Sequence, residues 1–159
     1  MRISVHVVCM LDSIHTARWL AQFSNEPIDF FLIPSSPHRR IHPEIAKLTN
    51  RTSRATYDVK LLHKFLGVPL WLADKALDNR VRGLIIRRKV LQHKPDFVHA
   101  LEMQNAGYSC LRAFREGFPK NTQLITTNWG SDIYWFRRFP RHEKKIRELL
   151  SISDRYSDE

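Results

Sequence analysis

Residues 2–33 read RISVHVVCMLDSIHTARWLAQFSNEPIDFFLI, and this stretch decides the fold. Arg2 to Met10 is a run of β-branched and apolar residues, which suits a strand buried on both faces. Ser13 follows as an N-cap, and Ile14, Ala17, Leu20 and Ala21 recur at helical spacing in a helix that reaches Phe23. Asn25 and Pro27 stop that helix. Ile28 to Ile33 is a second apolar strand, ended by Pro34. Strand, helix and strand in such close succession make a βαβ unit, which implies parallel strands and a right-handed crossover.

The rest of the chain continues the alternation. Ser35 to Arg54 is the least regular region, with prolines at 34, 37 and 43, and reads as a loop holding a short helix around Glu44 to Leu48. Tyr57 to Leu62 reads as a third strand. Ala73 to Lys94 reads as one helix, with apolar positions at 77, 81, 84, 85 and 91, and Pro95 ends it. Asp96 to Ala100 is a short buried strand. Asn105 to Arg115 is a helix closed by Gly117 and Pro119, and Gln123 to Thr127 another strand. After the loop 128–132, Arg141 to Leu150 forms a last helix, and Ile152 to Tyr156 begins a further strand. The pattern predicts an α/β three-layer domain with a mainly parallel sheet. Such sheets bind ligands outside the carboxyl ends of their strands, so the loops 11–15, 100–105 and 128–133 carry the functional expectation.

Composition sets the outer limits. A length of 159 residues fits one domain, and a hydrophobic fraction of 43% supports a core and excludes wholesale disorder. The apolar run Phe30 to Ile33 is far shorter than the ~20 residues of a membrane span. The opening residues lack a small-residue cleavage site and read as a strand rather than a signal peptide, so a cytoplasmic protein is expected. Cys9 and Cys110 each sit in an apolar stretch, as buried thiols of a reducing compartment do. No metal-ligand spacing occurs, and no metal is expected. Lys and Arg number 26 against 16 Asp and Glu, a formal charge of +10 that attracts polyanions. Arg80 to Lys94 carries Arg80, Arg82, Arg87, Arg88, Lys89 and Lys94 with no carboxylate, and a second basic run extends from Arg137 to Arg147.

Three constellations stand at the expected edge. Ser13 and His15 lie where the first strand meets a helix N-terminus, with Arg18 one turn on, a place suited to phosphate or carboxylate. Gly-x-Gly-x-x-Gly is missing there, so a dinucleotide fingerprint is unsupported. His99 near the end of its strand, followed by Glu102, Gln104 and Asn105, offers either a proton carrier, a sugar-hydroxyl ligand or a hydrogen-bonded core residue. Asn128, Trp129, Gly130, Ser131 and Asp132 combine amide, indole, backbone freedom, hydroxyl and carboxylate, the equipment carbohydrates need; Gly130 suits close backbone approach or a positive φ. No nucleophile, base and orienting acid come together, and no catalytic residue is assigned.

These residues resemble a known family. Asp12-Ser13-x-His15-Thr16-x-Arg18-Trp19 after an opening strand is similar to the start of many bacterial family 4 glycosyltransferases. Lys94-Pro95-Asp96-Phe97-Val98-His99-Ala100 is close to their KPDxVHAH strand, and Asn128-Trp129-Gly130-Ser131-Asp132-Ile133 to their WGSD or HGSD loop. Leu149 to Asp154 resembles the helix-to-strand passage that ends their first domain. The four matches occur in family order across nearly the whole chain. Leu101 departs from the pattern, standing where many members have a second His, and Trp129 stands where many have a His that contacts the transferred sugar.

The resemblance implies the N-terminal, Rossmann-like half of a GT-B architecture over residues 1–159, with a C-terminal donor-binding domain to follow. It implies the acceptor side of a retaining, metal-free transfer from a nucleotide-sugar, in cell-envelope or surface polysaccharide or glycolipid synthesis, the isolated half being inactive or weakly binding. By position, Ser13 and His15 face the cleft near donor phosphates or acceptor, His99 matches the first His of the strand motif, and Gly130, Ser131 and Asp132 match the cleft loop. Partners implied are the second domain, a sugar or lipid-linked acceptor, and an anionic membrane surface on the cytoplasmic side, where each Lys or Arg contributes ~1 kcal/mol. The alternative from charge alone is a non-catalytic basic α/β module for nucleic acid or nucleotide, although no RNP-like, Gly-x-x-Gly or helix-turn-helix signal accompanies it.

Overall fold

Strand β1 (Ile3–Cys9) lies at the middle of the sheet, with β2 (Ile28–Pro34) on one side and β4 (Phe97–Ala100) on the other. A computed structural model describes residues 2–36, 40–50, 55–59, 67–115, 117 and 119–158. With β3 (Thr56–Val59), β5 (Gln123–Asn128) and β6 (Arg155–Asp158), the sheet has six strands in the order β3-β2-β1-β4-β5-β6, every pairing parallel. This is the doubly wound, Rossmann-like order that the apolar strands and intervening helices predict.

Helices cover both faces. α1 (Ile14–Ala21) and α2 (Pro43–Thr49) close one core with Val5, Val7, Leu20, Leu32 and Ile45. α4 (Arg80–His93), α5 (Tyr108–Phe114) and α7 (Pro140–Ile152) close the other with Val8, Phe31, Ile86, Leu111, Leu124 and Leu149. Strand β1 feeds both, which is why it ends in the unbroken apolar run Val7 to Cys9. Each fully buried aliphatic side chain contributes about 1.5–3 kcal/mol. Gly83 lets α4 lie close against α5: a Cβ there would stand 2.9 Å from the Arg112 Cβ.

The structure corrects several boundaries. The single helix predicted over Ala73–Lys94 is two, α3 (Gly67–Ala76) and α4, because Asp78 and Asn79 take φ of 54° and 64°. Short polar residues tolerate that left-handed region. A buried ion pair fixes the bend: Arg82 Nε donates to Asp74 Oδ2 at 3.0 Å and the Arg82 backbone N–H to Asp74 Oδ1 at 2.8 Å. The Arg82 guanidinium also reaches Pro34 O at 2.5 Å, tying the bend to the end of β2. Arg82, counted in the basic run from Arg80 to Lys94, is therefore interior.

The helix expected to start at Asn105 is preceded by a π-helical turn, Met103–Gly107. The loop after β5 holds a short helix, α6 (Ser131–Tyr134), and a 3-10 turn. α7 runs to Ile152, so β6 starts three residues later than expected. Residues 60–62 of the expected third strand, and 37–39 and 51–54 of the expected loop, lie outside the described residues. Both cysteines are buried, with thiols pushed well above their usual range chiefly by that burial, so neither is a nucleophile.

Candidate functional site: the carboxyl edge of the sheet

Chain direction reverses its winding between β1 and β4, and the crevice of a doubly wound sheet opens there. Three segments border it: the turn after β1, the π-helical turn after β4 and the loop after β5.

Ser13 caps α1, its Oγ accepting the His15 backbone N–H at 3.2 Å. His15 and Arg18 are exposed on that helix. The His15 ring lies 5.4 Å from the Trp129 ring, so the turn after β1 meets the loop after β5. Trp129 is half-buried against the α1-side core, and its indole N–H is a buried donor without a hydrogen-bond partner.

The carboxylates of the other two loops face inward. Glu102 is buried and accepts the backbone N–H groups of Asn105 at 2.9 Å and Ala106 at 2.5 Å, holding the π-helical turn in place. Burial raises its pKa and the nearby Asp132 charge raises it further, against the opposing pull of those N–H donors. Asp132 is also buried, and its Oδ2 accepts from the backbone of Met103 and of Trp129, each at 3.1 Å. Its pKa is likewise raised by burial. One carboxylate thus ties the loop after β5 to the turn after β4, and Gln104 Nε2 reinforces the tie through Asp132 O at 3.1 Å. Asn128 is buried at the end of β5 and accepts the Tyr156 hydroxyl of β6.

His99 lies within β4, buried, with Nε2 2.7 Å from Thr127 Oγ1 and its ring 4.7 Å from Trp19. Burial lowers its pKa to about 4, so it is neutral near pH 7. Leu101 is packed in the α1-side core, its backbone N–H bonded to Val8 O. Gly130 and Ser131 are exposed. Gly130 has φ −25°, and a Cβ there would meet nothing; the positive φ expected of it is absent.

The edge therefore brings His15, Trp129, Gly130 and Ser131 together at the surface, with Ser13 and Arg18 beside them. It sets His99, Glu102, Asn128 and Asp132 beneath, as the framework. Sequence reasoning named Gln104 without its tie to Asp132 and missed Tyr156; both hold this framework through contacts no local pattern announces. Among the described residues no three His, Cys, Asp or Glu side chains converge as a metal ion requires.

A solved enzyme shares this architecture. The chain is similar to a crystal structure of UDP-N-acetylglucosamine 2-epimerase, with a TM-score of 0.58 at 16% sequence identity, covering 99% of this chain and 42% of that chain. The likeness is one of fold, and the chain spans less than half the length of the structure it matches. No family model and no curated protein matches the sequence.

Proposed function

We propose that the domain is the acceptor-side wall of a retaining, nucleotide-sugar-dependent glycosyltransferase that works on a cell-surface saccharide or glycolipid. The observation that carries this reading is the meeting of His15 with Trp129 across the crevice, above a rigid floor of hydrogen-bonded carboxylates. An exposed imidazole, a guanidinium and a hydroxyl around an indole suit sugar hydroxyls and donor phosphates. The likeness to an enzyme named for a UDP-sugar supports the substrate class, and its greater length supports a second domain that closes the cleft. On this reading the nucleotide-sugar is a substrate, and the transfer uses no metal.

Titration of the chain with UDP-N-acetylglucosamine and a panel of free sugars tests the proposal by NMR. Weak, saturable shifts at the backbone amides of residues 13–18 and 128–132 are expected, because a one-walled cleft encloses little of its ligand. Shifts absent there at millimolar ligand overturn it.

The same edge carries an aromatic and basic ridge. Tyr134, Trp135 and Phe139 are exposed among Arg137, Arg138 and Arg141, with the Arg138 guanidinium 5.1 Å above the Trp135 ring. Amphipathic rings interleaved with arginine suit the headgroup level of an anionic bilayer, which supports a reading of the domain as peripheral on the cytoplasmic membrane face. No helix among the described residues is long and apolar enough to cross a membrane. Salt-sensitive sedimentation with anionic liposomes is expected; indifference to them at low salt removes this part of the reading. The rival, a nucleic-acid module, has the basic groove between α4 and α5 in its favour. Much of that charge is already engaged, Arg87 with Ala113 O, Arg112 with Asp78 and Arg115 with Glu148.

A further inference from the structure

A second opening lies at the same edge of the sheet, on the α4 side. It is a cavity of about 440 Å³ between the α3–α4 bend, the π-helical turn and the first turns of α7. Lys75 and Asp78 line it from the bend, Tyr108 from the start of α5, and Arg141, His142 and Lys145 from α7. The sugar reading uses none of them, and only Arg141 recurs, at the border of the aromatic and basic ridge.

Its charge is out of balance. The Asp78 carboxylate takes Arg112 at 2.9 Å, Arg141 at 3.3 Å and Lys145. Lys75 is a third cation in the cavity beside Arg141 and Lys145, while Arg112 reaches Asp78 from outside the lining. Three positive groups share the cavity with one carboxylate that Arg112 also engages, and like charges held this close repel unless an anion joins them. Lys145 is not loosely solvated: its side chain is only 19% exposed, and its Nζ sits 4.9 Å over the Tyr108 ring. The field is felt by a neighbour as well. His142, 3.0 Å from the Tyr108 hydroxyl through Nδ1, has its pKa lowered by burial and then by Lys145, Arg141 and Lys75.

We propose that this cavity is a binding site for the phosphate group of a ligand, with Arg141 and Lys145 as its main donors and Lys75 and the Tyr108 hydroxyl on its walls. A guanidinium fork beside an ammonium fits a tetrahedral, doubly charged oxyanion, and the partial burial of Lys145 strengthens its charge-assisted bond. Asp78 then acts as the internal counter-ion that keeps the cations in place when the cavity is empty. As a phosphate site the inference stands on the cavity alone. As the seat of a phosphate carried by the sugar acceptor it deepens the function proposed above and rests on it.

The test is a titration of the intact chain with inorganic phosphate at low ionic strength, followed by backbone amide shifts, with chloride as the control. Saturable shifts are expected at residues 104–108 and 141–145. The double variant Lys75→Gln with Arg141→Gln, both exposed side chains, should fold normally by thermal unfolding and weaken phosphate binding roughly tenfold or more. Arg87→Gln with Arg115→Gln, in the separate groove of α4 and α5, should leave it unchanged. Missing saturation, or equal weakening by both double variants, overturns the site and leaves Asp78 as a purely structural strap. Vesicles containing phosphatidic acid identify the source. Retention on them in excess of that on phosphatidylglycerol vesicles of equal charge, displaced by free phosphate and lost in Lys75→Gln alone, assigns a lipid-borne phosphate; a response in solution alone assigns a soluble ester. Phosphate binding without sugar-induced shifts at 13–18 and 128–132 keeps the site and removes the acceptor reading. Sugar shifts without phosphate binding remove the site alone.

Discussion

The turn after β1 and the loops after β4 and β5 border one crevice, yet they use their polar residues in opposite ways. The β1 turn spends one hydroxyl, Ser13, on capping its helix and leaves His15 and Arg18 in solvent. The β4 and β5 loops turn Glu102 and Asp132 inward, where each carboxylate accepts two backbone N–H groups. The difference teaches that a carboxylate at the carboxyl end of a strand is not thereby a ligand-facing group. Here it builds the hydrogen-bonded floor on which exposed side chains can be presented.

Removing a floor carboxylate should have the largest effect. Glu102→Ala orphans two buried N–H groups, and a loss of about 3–5 kcal/mol in urea unfolding is expected, against an unchanged protein if the π-helical turn is self-supporting. Acid should come next. His6 and His99 are buried and held to a pKa of about 4, His6 by burial first and then by the charges of His93 and Lys89. Because the unfolded chain takes up protons near pH 6.5 and the folded chain does not, their stabilisation is complete above 6.5 and drains away as pH falls toward 4. The loss is about 3 kcal/mol for each group. Glu102 and Asp132 act with the opposite sign: their raised values let the folded state hold protons first, so Glu102→Gln should lose more stability on acidification than the parent. Urea midpoints measured from pH 7 to pH 4 check both signs.

Smaller effects probe the exposed side of the comparison. Gly130→Ala should change stability by less than about 0.5 kcal/mol, since its Cβ meets nothing; lost sugar binding in an intact protein would show that a ligand approaches that backbone. His15→Ala should change stability by less than about 0.5 kcal/mol while abolishing the sugar-induced shifts at 128–132. A large loss of stability in that variant would dissolve the contrast between floor and presented groups.

The sequence exposes these two regions unequally for physical reasons. The βαβ opening is legible because a strand buried on both faces is mostly β-branched and apolar, Ser4 and His6 aside, and Ser13 sits where a cap must. The α3–α4 bend is not, because Leu77, Asp78 and Asn79 are compatible with a continuing helix and the decision rests on Asp74 and Arg82 meeting inside. His99 and Glu102 are conspicuous as chemistry-bearing residues, but their orientation depends on partners such as Thr127 that lie well away in sequence. The phosphate cavity draws Asp78 from the bend and Lys145 from α7, and a charge count along the chain shows only a basic run there.

Strand β1 has a further consequence during synthesis. Its β2 edge is satisfied by chain that follows almost at once, but its other edge must wait for residues 97–100. At ~5–20 residues per second the ribosome leaves that row of amides and carbonyls bare for on the order of 5–20 s. A nascent half-sheet of this kind is open to mispairing with a neighbouring copy. Slow decoding between the codons for Cys9 and Phe97 should therefore lower soluble yield more than the same delay placed after Ala100.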